Sequence, residues 1–268
     1  MKFDLHTHHY RCGHAADDIE DYIKAAIAAD LHVIGISDHS PYFAEDGDHP
    51  FQGLTMAKSE FSSYIEEIVH LKEKYKNDIE VLAGVESDYF PASAEIYRME
   101  YAKYPLDYIT GSVHFVDGIN IFDKSRWDGM KEEEILRVKE DYYKLIQLSA
   151  KSGMFHILGH IDAIKGYFPE IAKVQTIEID NTLQVIADED IAIEINTSGK
   201  MKDCGGWYPA GDILERACYF GVPVSFGSDS HHPERVGEDW AEVQAHLKEI
   251  GYTEWRFYRK QKPVVIPL

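Results

Sequence analysis

Short apolar runs alternate along this chain with longer segments in which apolar residues recur at three- and four-residue spacing. The runs cover residues 2–6, 32–37, 79–85, 107–113, 155–159, 191–195 and 222–227, and their length and composition predict strands. Helices are predicted between them over 17–29, 57–76, near 93–103, then 131–152, 173–189, 210–220 and near 234–249. In the second helix Phe61, Tyr64, Ile65, Ile68 and Leu71 fall on one face, and the first opens on Asp17 and Asp18, which suit the positive end of a helix dipole. A last apolar run, 264–266, follows the final helix. Pro41, Gly47, Pro50 and Gly53 mark 40–55 as a loop long enough to form a lid, and Asp117-Gly118 and Asp128-Gly129 mark another over 115–130. Strands alternating with helices, undivided by any linker, imply parallel βαβ units in one α/β domain spanning 1–268.

The residues that end these strands change the picture from fold to chemistry. His6 and His8 are two apart on a strand and so share a face. Asp38 and His39, Glu86, His114, His160, and Asp229 with His231 follow at later strand ends, and His14 lies in the loop after the first strand. A lone histidine at a strand end is ordinarily a packing or capping residue, but that account would have to hold independently at five strand ends. A ring of polar strand ends fits a closed barrel, whose site lies at the C-terminal ends of its strands, better than an open sheet with one switch point. Imidazole and carboxylate together suit Zn²⁺, Fe²⁺ or Mn²⁺, and so many donors require two or three ions. His32, His49, His70, His156 and His246 lie away from the strand ends, and His9 and His232 have the wrong parity; none is assigned to metal.

Charge and composition exclude several partners. Lys and Arg total 27 against 47 Asp and Glu, so the net charge of −20 opposes binding to a nucleic-acid backbone or an anionic membrane. A small anion remains admissible where cations or metal ions make a site locally positive. No apolar stretch approaches the ~18 residues of a membrane span, and no signal peptide is expected. The odd cysteines Cys12, Cys204 and Cys218 predict free thiols and a reducing cytoplasm.

The set Asp4-x-His6-x-His8, Ser37-Asp38-His39, Gly84-Val-Glu86, Gly111-Ser-Val-His114, Gly159-His160 and Gly227-Ser-Asp229-x-His231 resembles the polymerase and histidinol phosphatase (PHP) superfamily, in order and over nearly the whole chain. The Cys12-Gly13-His14 loop, the 64–75 and 107–114 stretches, Glu194-Ile-Asn-Thr-Ser-Gly199 and Tyr208-Pro209 are most similar to its histidinol-phosphatase branch. The resemblance implies a distorted (β/α)₇ barrel with three divalent metal ions: one on His6, His8, Glu86 and Asp229, a second on Glu86, His114 and His160, a third on His14, His39 and His231. It makes Asp4 and Asp38 carboxylates that orient histidines. It also implies hydrolysis of histidinol phosphate, in histidine biosynthesis, by a metal-bridging hydroxide.

The leaving group needs a proton, for which Asp229 and His231 are candidates, with Asp38 and His39 as a second pair. Phosphate binding needs cations, and the strand-end loops offer Lys165, Lys200, Lys202, Arg126 and Arg235, lysines standing where arginines are expected in such phosphatases. An acidic lid, Glu45, Asp46 and Asp48 flanked by Phe43 and Phe51, would complement a basic organic group. Alternatives are a phosphoesterase on a nucleotide or sugar phosphate, a metal-binding domain without turnover, and a metal-dependent deacylase on a similar barrel. The complete ligand set disfavours the second, and the want of a strand-end lysine disfavours the third.

Overall fold

The computed structural model describes residues 1–268 and contains seven main helices and twelve strands. β1 (Phe3–Asp4), β2 (Val33–Ile36) and β3 (Glu80–Ala83) pair in parallel in that order. A second parallel sheet runs β10 (Val224–Gly227), β9 (Ala192–Asn196), β8 (Ile157–Leu158), β5 (Thr110–Ser112), β4 (Glu86–Asp88). β3 and β4 are one strand course interrupted at Gly84-Val85, where the course takes up β5 while Glu86 stays bridged to His39 just past β2. The two sheets join on the other side as well: Leu5 N–H donates to Phe226 O at 3.2 Å, His8 N–H to Ser230 O at 2.9 Å, and Ser230 N–H to His6 O at 3.2 Å. Seven strand positions therefore close into a distorted (β/α)₇ barrel, as the alternation of apolar runs predicts.

Helices α1 (Ile19–Ala28), α2 (Phe61–Lys74), α3 (Ala94–Tyr101), α4 (Glu132–Lys151), α5 (Glu178–Asp188), α6 (Gly211–Phe220) and α7 (Trp240–Ile250) surround it. Most are shorter than the apolar periodicity predicts. α7 starts six residues beyond 234 because Pro233–Arg235 forms a 3₁₀ turn and both Gly237 and Asp239 take left-handed backbone angles. α5 starts after Pro169–Lys173, another 3₁₀ turn. The loop 115–130 holds a small hairpin, β6 (Phe115–Val116) with β7 (Ile119–Asn120), and the last apolar run is half of a second, β11 (Glu254–Arg259) with β12 (Lys262–Pro267). No helix is long and apolar enough to cross a membrane.

The second hairpin closes the end of the barrel opposite the ligand-bearing strand ends. Trp255 packs edge-on against Phe3 at 4.9 Å and against Trp240 at 4.8 Å. Its turn is held by Asp107, which accepts from Lys260 N–H at 2.9 Å, while Arg259 grips Glu80 through two 2.5 Å hydrogen bonds. Inside the barrel Tyr108 is fully buried and donates to Leu5 O at 2.5 Å. Its ring fits because two neighbours are glycine: a Cβ on Gly84 would lie 2.3 Å from Tyr108 Cζ, and one on Gly35 2.0 Å from the hydroxyl oxygen. Gly84→Ala is expected to lower stability by about 1–3 kcal/mol through overpacking. A denaturation midpoint equal to that of the parent protein would contradict it.

His156 sits beneath β8, and its Nδ1 accepts from Ile109 N–H at 3.0 Å, which only the unprotonated nitrogen can do. Burial lowers its pKa to about 4. Since the folded-state pKa lies below the unfolded value near 6.5, protonation favours unfolding, and stability falls as pH drops from about 6.5 towards 4. His156→Gln should flatten the acid limb of the stability profile over that window, measured by urea unfolding of metal-stripped protein.

Candidate metal centre

At the C-terminal ends of the strands His6, His8, His14, His39, Glu86, His114, His160, Asp229 and His231 converge. His6 Nε2 lies 3.4 Å from Glu86 Oε2 and 3.8 Å from Asp229 Oδ1, and His8 Nε2 lies 3.7 Å and 3.0 Å from the same two oxygens. On the other face of the Glu86 carboxylate, Oε1 is 3.0 Å from His160 Nε2 and 3.7 Å from His114 Nε2, and those two nitrogens are 3.3 Å apart. The rings of His14, His39 and His231 gather beside them, His14 at 5.1 Å from His39 and 4.8 Å from His231 between centroids. His39 also turns Nδ1 to Glu86 Oε2 at 2.8 Å.

The donor set fits cations on two grounds. His6 Nε2, His8 Nε2 and Glu86 Oε2 are buried without a hydrogen-bond partner in the protein, yet they face one another. Donor atoms of His6, His8 and Glu86, of His39, Glu86 and His114, and of His8, His39 and His231 each lie within 4.8 Å of one another. Burial alone would raise the Glu86 pKa, but His39, His6 and His114 hold it well below the usual carboxylate range. Burial would lower His6, yet Glu194, Asp229 and Glu86 hold it well above its ordinary value. His14, pushed down to about 4 by burial and then by His39 and His8, keeps a free lone pair. The centre thus attracts positive charge, and cations there would compete with protons.

Carboxylates that the chain places behind the rings fix which nitrogen faces inward. Asp38 accepts from His8 Nδ1 at 3.1 Å, as the resemblance implies, and its other oxygen lies 2.8 Å from His9 Nδ1. Asp4 does not orient a ring: it accepts the backbone N–H groups of His6, Ser228 and Gly237. Glu194 does that work for His6, Oε1 to Nδ1 at 2.7 Å, while its other oxygen takes Asn196 Nδ2 at 2.8 Å. Ser198 Oγ donates to Asp229 Oδ2 at 2.8 Å, leaving Oδ1 towards His8. Glu194 and Asn196 alternate along β9 and Ser198 opens the 3₁₀ turn after it, so polar residues two apart in an otherwise apolar strand were the available signal. His160 and Asp229 take positive φ, +26° and +52°, conformations that cost about 1–3 kcal/mol each and occur where a site demands them.

The centre opens into a cleft of about 720 Å³ lined by Tyr42, Phe115, Phe122, Tyr167, Met201 and Tyr208 among others. Of the five candidate cations only Lys202 and Arg235 line it. Lys165 is buried and paired with Asp162 at 2.7 Å, Lys200 is paired with Asp239, and Arg126 donates to Val116 O and Ile119 O, so these three brace loops instead of facing the cleft. Asp38 is also absent from the lining, both its oxygens being engaged by imidazoles, whereas His39, Asp229 and His231 reach it. The acidic lid residues do not enter: Asp48 caps Ser59, and from 40–55 only Tyr42 and Leu54 line the cleft. The carboxylates that do, besides Glu86 and Asp229, are Asp88 and Asp123.

Over 262 residues the chain is 30% identical to the Deinococcus radiodurans protein named "Probable histidinol-phosphatase", covering 97% of this chain and 98% of that one. It is 27% identical to the histidinol-phosphatase of Bacillus subtilis, over 88% of this chain and 96% of the relative. The crystal structure of histidinol phosphate phosphatase from Lactococcus lactis, which holds zinc, L-histidinol and phosphate, superposes with a TM-score of 0.81 at 19% identity, covering 98% of each chain, and so shares the fold. The profile of the PHP domain matches residues 4–198, close to three quarters of the sequence. That span takes in seven of the nine converging donors, and the chain belongs to the PHP domain family.

Proposed function

We propose that this chain is a metal-dependent phosphate monoester hydrolase whose substrate is histidinol phosphate, cleaved to histidinol and inorganic phosphate. What carries the reading is the complete donor set in a protein that aligns end to end with histidinol-phosphatases. His6, His8, Glu86 and Asp229 would hold one divalent ion, Glu86, His114 and His160 a second, and His14, His39 and His231 a third. Such ions supply Lewis-acid stabilisation of phosphoryl oxygens and acidify water near neutral pH. Everything else is positioning by the chain. Asp38, Glu194 and Ser198 hold His8, His6 and Asp229 so that their inner atoms converge. Asp229 and His231 remain the groups placed to return a proton to the leaving oxygen, since Asp38 is spent on two imidazoles.

Lys202 is the cation best placed for the phosphate. Its ammonium lies 5.4 Å from the Phe122 ring and 5.3 Å from the Tyr167 ring and has no carboxylate within ion-pairing distance, so its charge is held in place but not neutralised. Arg235, by contrast, is already paired with Glu238. The aromatic wall of Phe115, Phe122 and Tyr167, with Asp88 and Asp123, suits a flat, basic organic group such as an imidazole with an amine.

Metal-replete protein should release phosphate from histidinol phosphate with kcat/KM above ~10⁴ M⁻¹s⁻¹, well ahead of a nucleoside monophosphate and a sugar phosphate, and chelation should abolish it. Equal slow rates on all three would leave a phosphatase of other specificity. Lys202→Ala should raise KM about tenfold, which corresponds to about 1.4 kcal/mol. Lys165→Ala should lower the melting temperature instead, because it leaves Asp162 buried and unpaired. An unchanged KM in Lys202→Ala would remove that residue from the phosphate site.

A further inference from the structure

Asp88 ends β4, two residues past Glu86 and therefore on the same face, and its side chain is only 6% exposed. Both of its oxygens are committed, and to parts of the chain that are distant in sequence. Oδ1 accepts from the His114 backbone N–H at 3.0 Å and lies 3.1 Å from His114 Nδ1. Oδ2 accepts from the Tyr42 hydroxyl at 3.0 Å. On one side, a carboxylate at Nδ1 fixes the His114 tautomer and turns Nε2 towards Glu86 and His160. On the other, Tyr42 belongs to segment 40–55, which contains neither helix nor strand. The Tyr42 ring packs edge-on against Phe51 of the same segment at 5.0 Å and against Phe90 at 5.5 Å, and Asp88 is the partner of its buried hydroxyl.

We infer that Asp88 is a positioning residue that couples the 40–55 segment to the metal centre, so that a cation on His114 and the seating of Tyr42 in the cleft wall stabilise one another. A cation held by Nε2 would withdraw electron density from the ring and strengthen the attraction of Nδ1–H for Oδ1, 3.1 Å away. A carboxylate locked in that orientation presents Oδ2 to Tyr42, and by linkage a seated Tyr42 favours the cation to the same extent. The inference rests on the metal-centre reading but not on the identity of the substrate.

Hydrogen exchange of the full-length protein, stripped of metal and then titrated with zinc, tests it, with bound zinc counted by elemental analysis. The turn at Lys260 and Gln261, at the opposite end of the barrel, serves as the internal reference. Zinc should slow exchange across 40–55 by about fivefold or more relative to that turn, the lower end of typical coupling. In Tyr42→Phe, which keeps the ring and its packing, the extra protection should vanish and zinc affinity should weaken by the same factor. Asp88→Asn should lose both. Equal protection in the parent and Tyr42→Phe at equal bound zinc would overturn the coupling, as would zinc binding that leaves 40–55 unprotected in the parent. Absence of bound zinc would overturn it together with the metal centre, whereas phosphate release speaks separately to the substrate.

Discussion

The carboxylate of Glu86, buried and ringed by imidazoles, is the contact on which the rest of the molecule depends. His39, His160, His6, His8 and His114 all present a nitrogen within 3.7 Å of it, and Ser112 adds a hydroxyl at 2.6 Å. An isolated buried carboxylate costs several kcal/mol, so it must be surrounded by groups that carry or accept positive charge. Those groups come from four different strands, β1, β2, β5 and β8, whose ends must all aim inward. Past Gly84-Val85 the strand keeps its hold on the β2 side, Glu86 N–H donating to Ser37 O at 3.0 Å, while it takes up β5 on its other edge, so Glu86 is fixed from both sides.

A net charge of −20 would repel an anionic ester, and the centre answers locally. Carboxylates behind the histidines push electron density forward, and the histidines in front present lone pairs where cations can sit. Lys202 adds a charge steadied by aromatic faces, which do not cancel it as a carboxylate would. The acidic surface and the cation-seeking centre are therefore separate features, and only the second concerns the chemistry.

Much of this was legible from the order of residues. Strand parity put His6 and His8 on one face, and the donors that end later strands needed only a closed barrel to meet. Residues beyond the strand ends were less legible. Lys165, Lys200 and Arg126 look equivalent to Lys202 in sequence, and only their partners Asp162, Asp239 and two carbonyls show that they brace loops. Glu194 and Asp88 read as ordinary strand residues until the rings they support are in place. The hairpin 254–267 was half visible, because β11 interleaves Glu254, Arg256 and Arg259 with its aromatic residues, and the two arginines pair with Asp190 and Glu80 on distant elements.

The barrel is sealed by β1 against β10, the first strand of the chain against the last of the ring. His6 and His8 emerge early during synthesis, but Asp229, whose Oδ1 lies 3.0 Å from His8 Nε2, follows more than 220 residues later. A nascent chain that stops short of β10 would hold these histidines and Glu86 without Asp229 opposite them. The centre therefore assembles only once the ring has closed, so a ribosome-bound fragment offers no finished seat to a scavenged ion and the choice of metal falls to the completed fold.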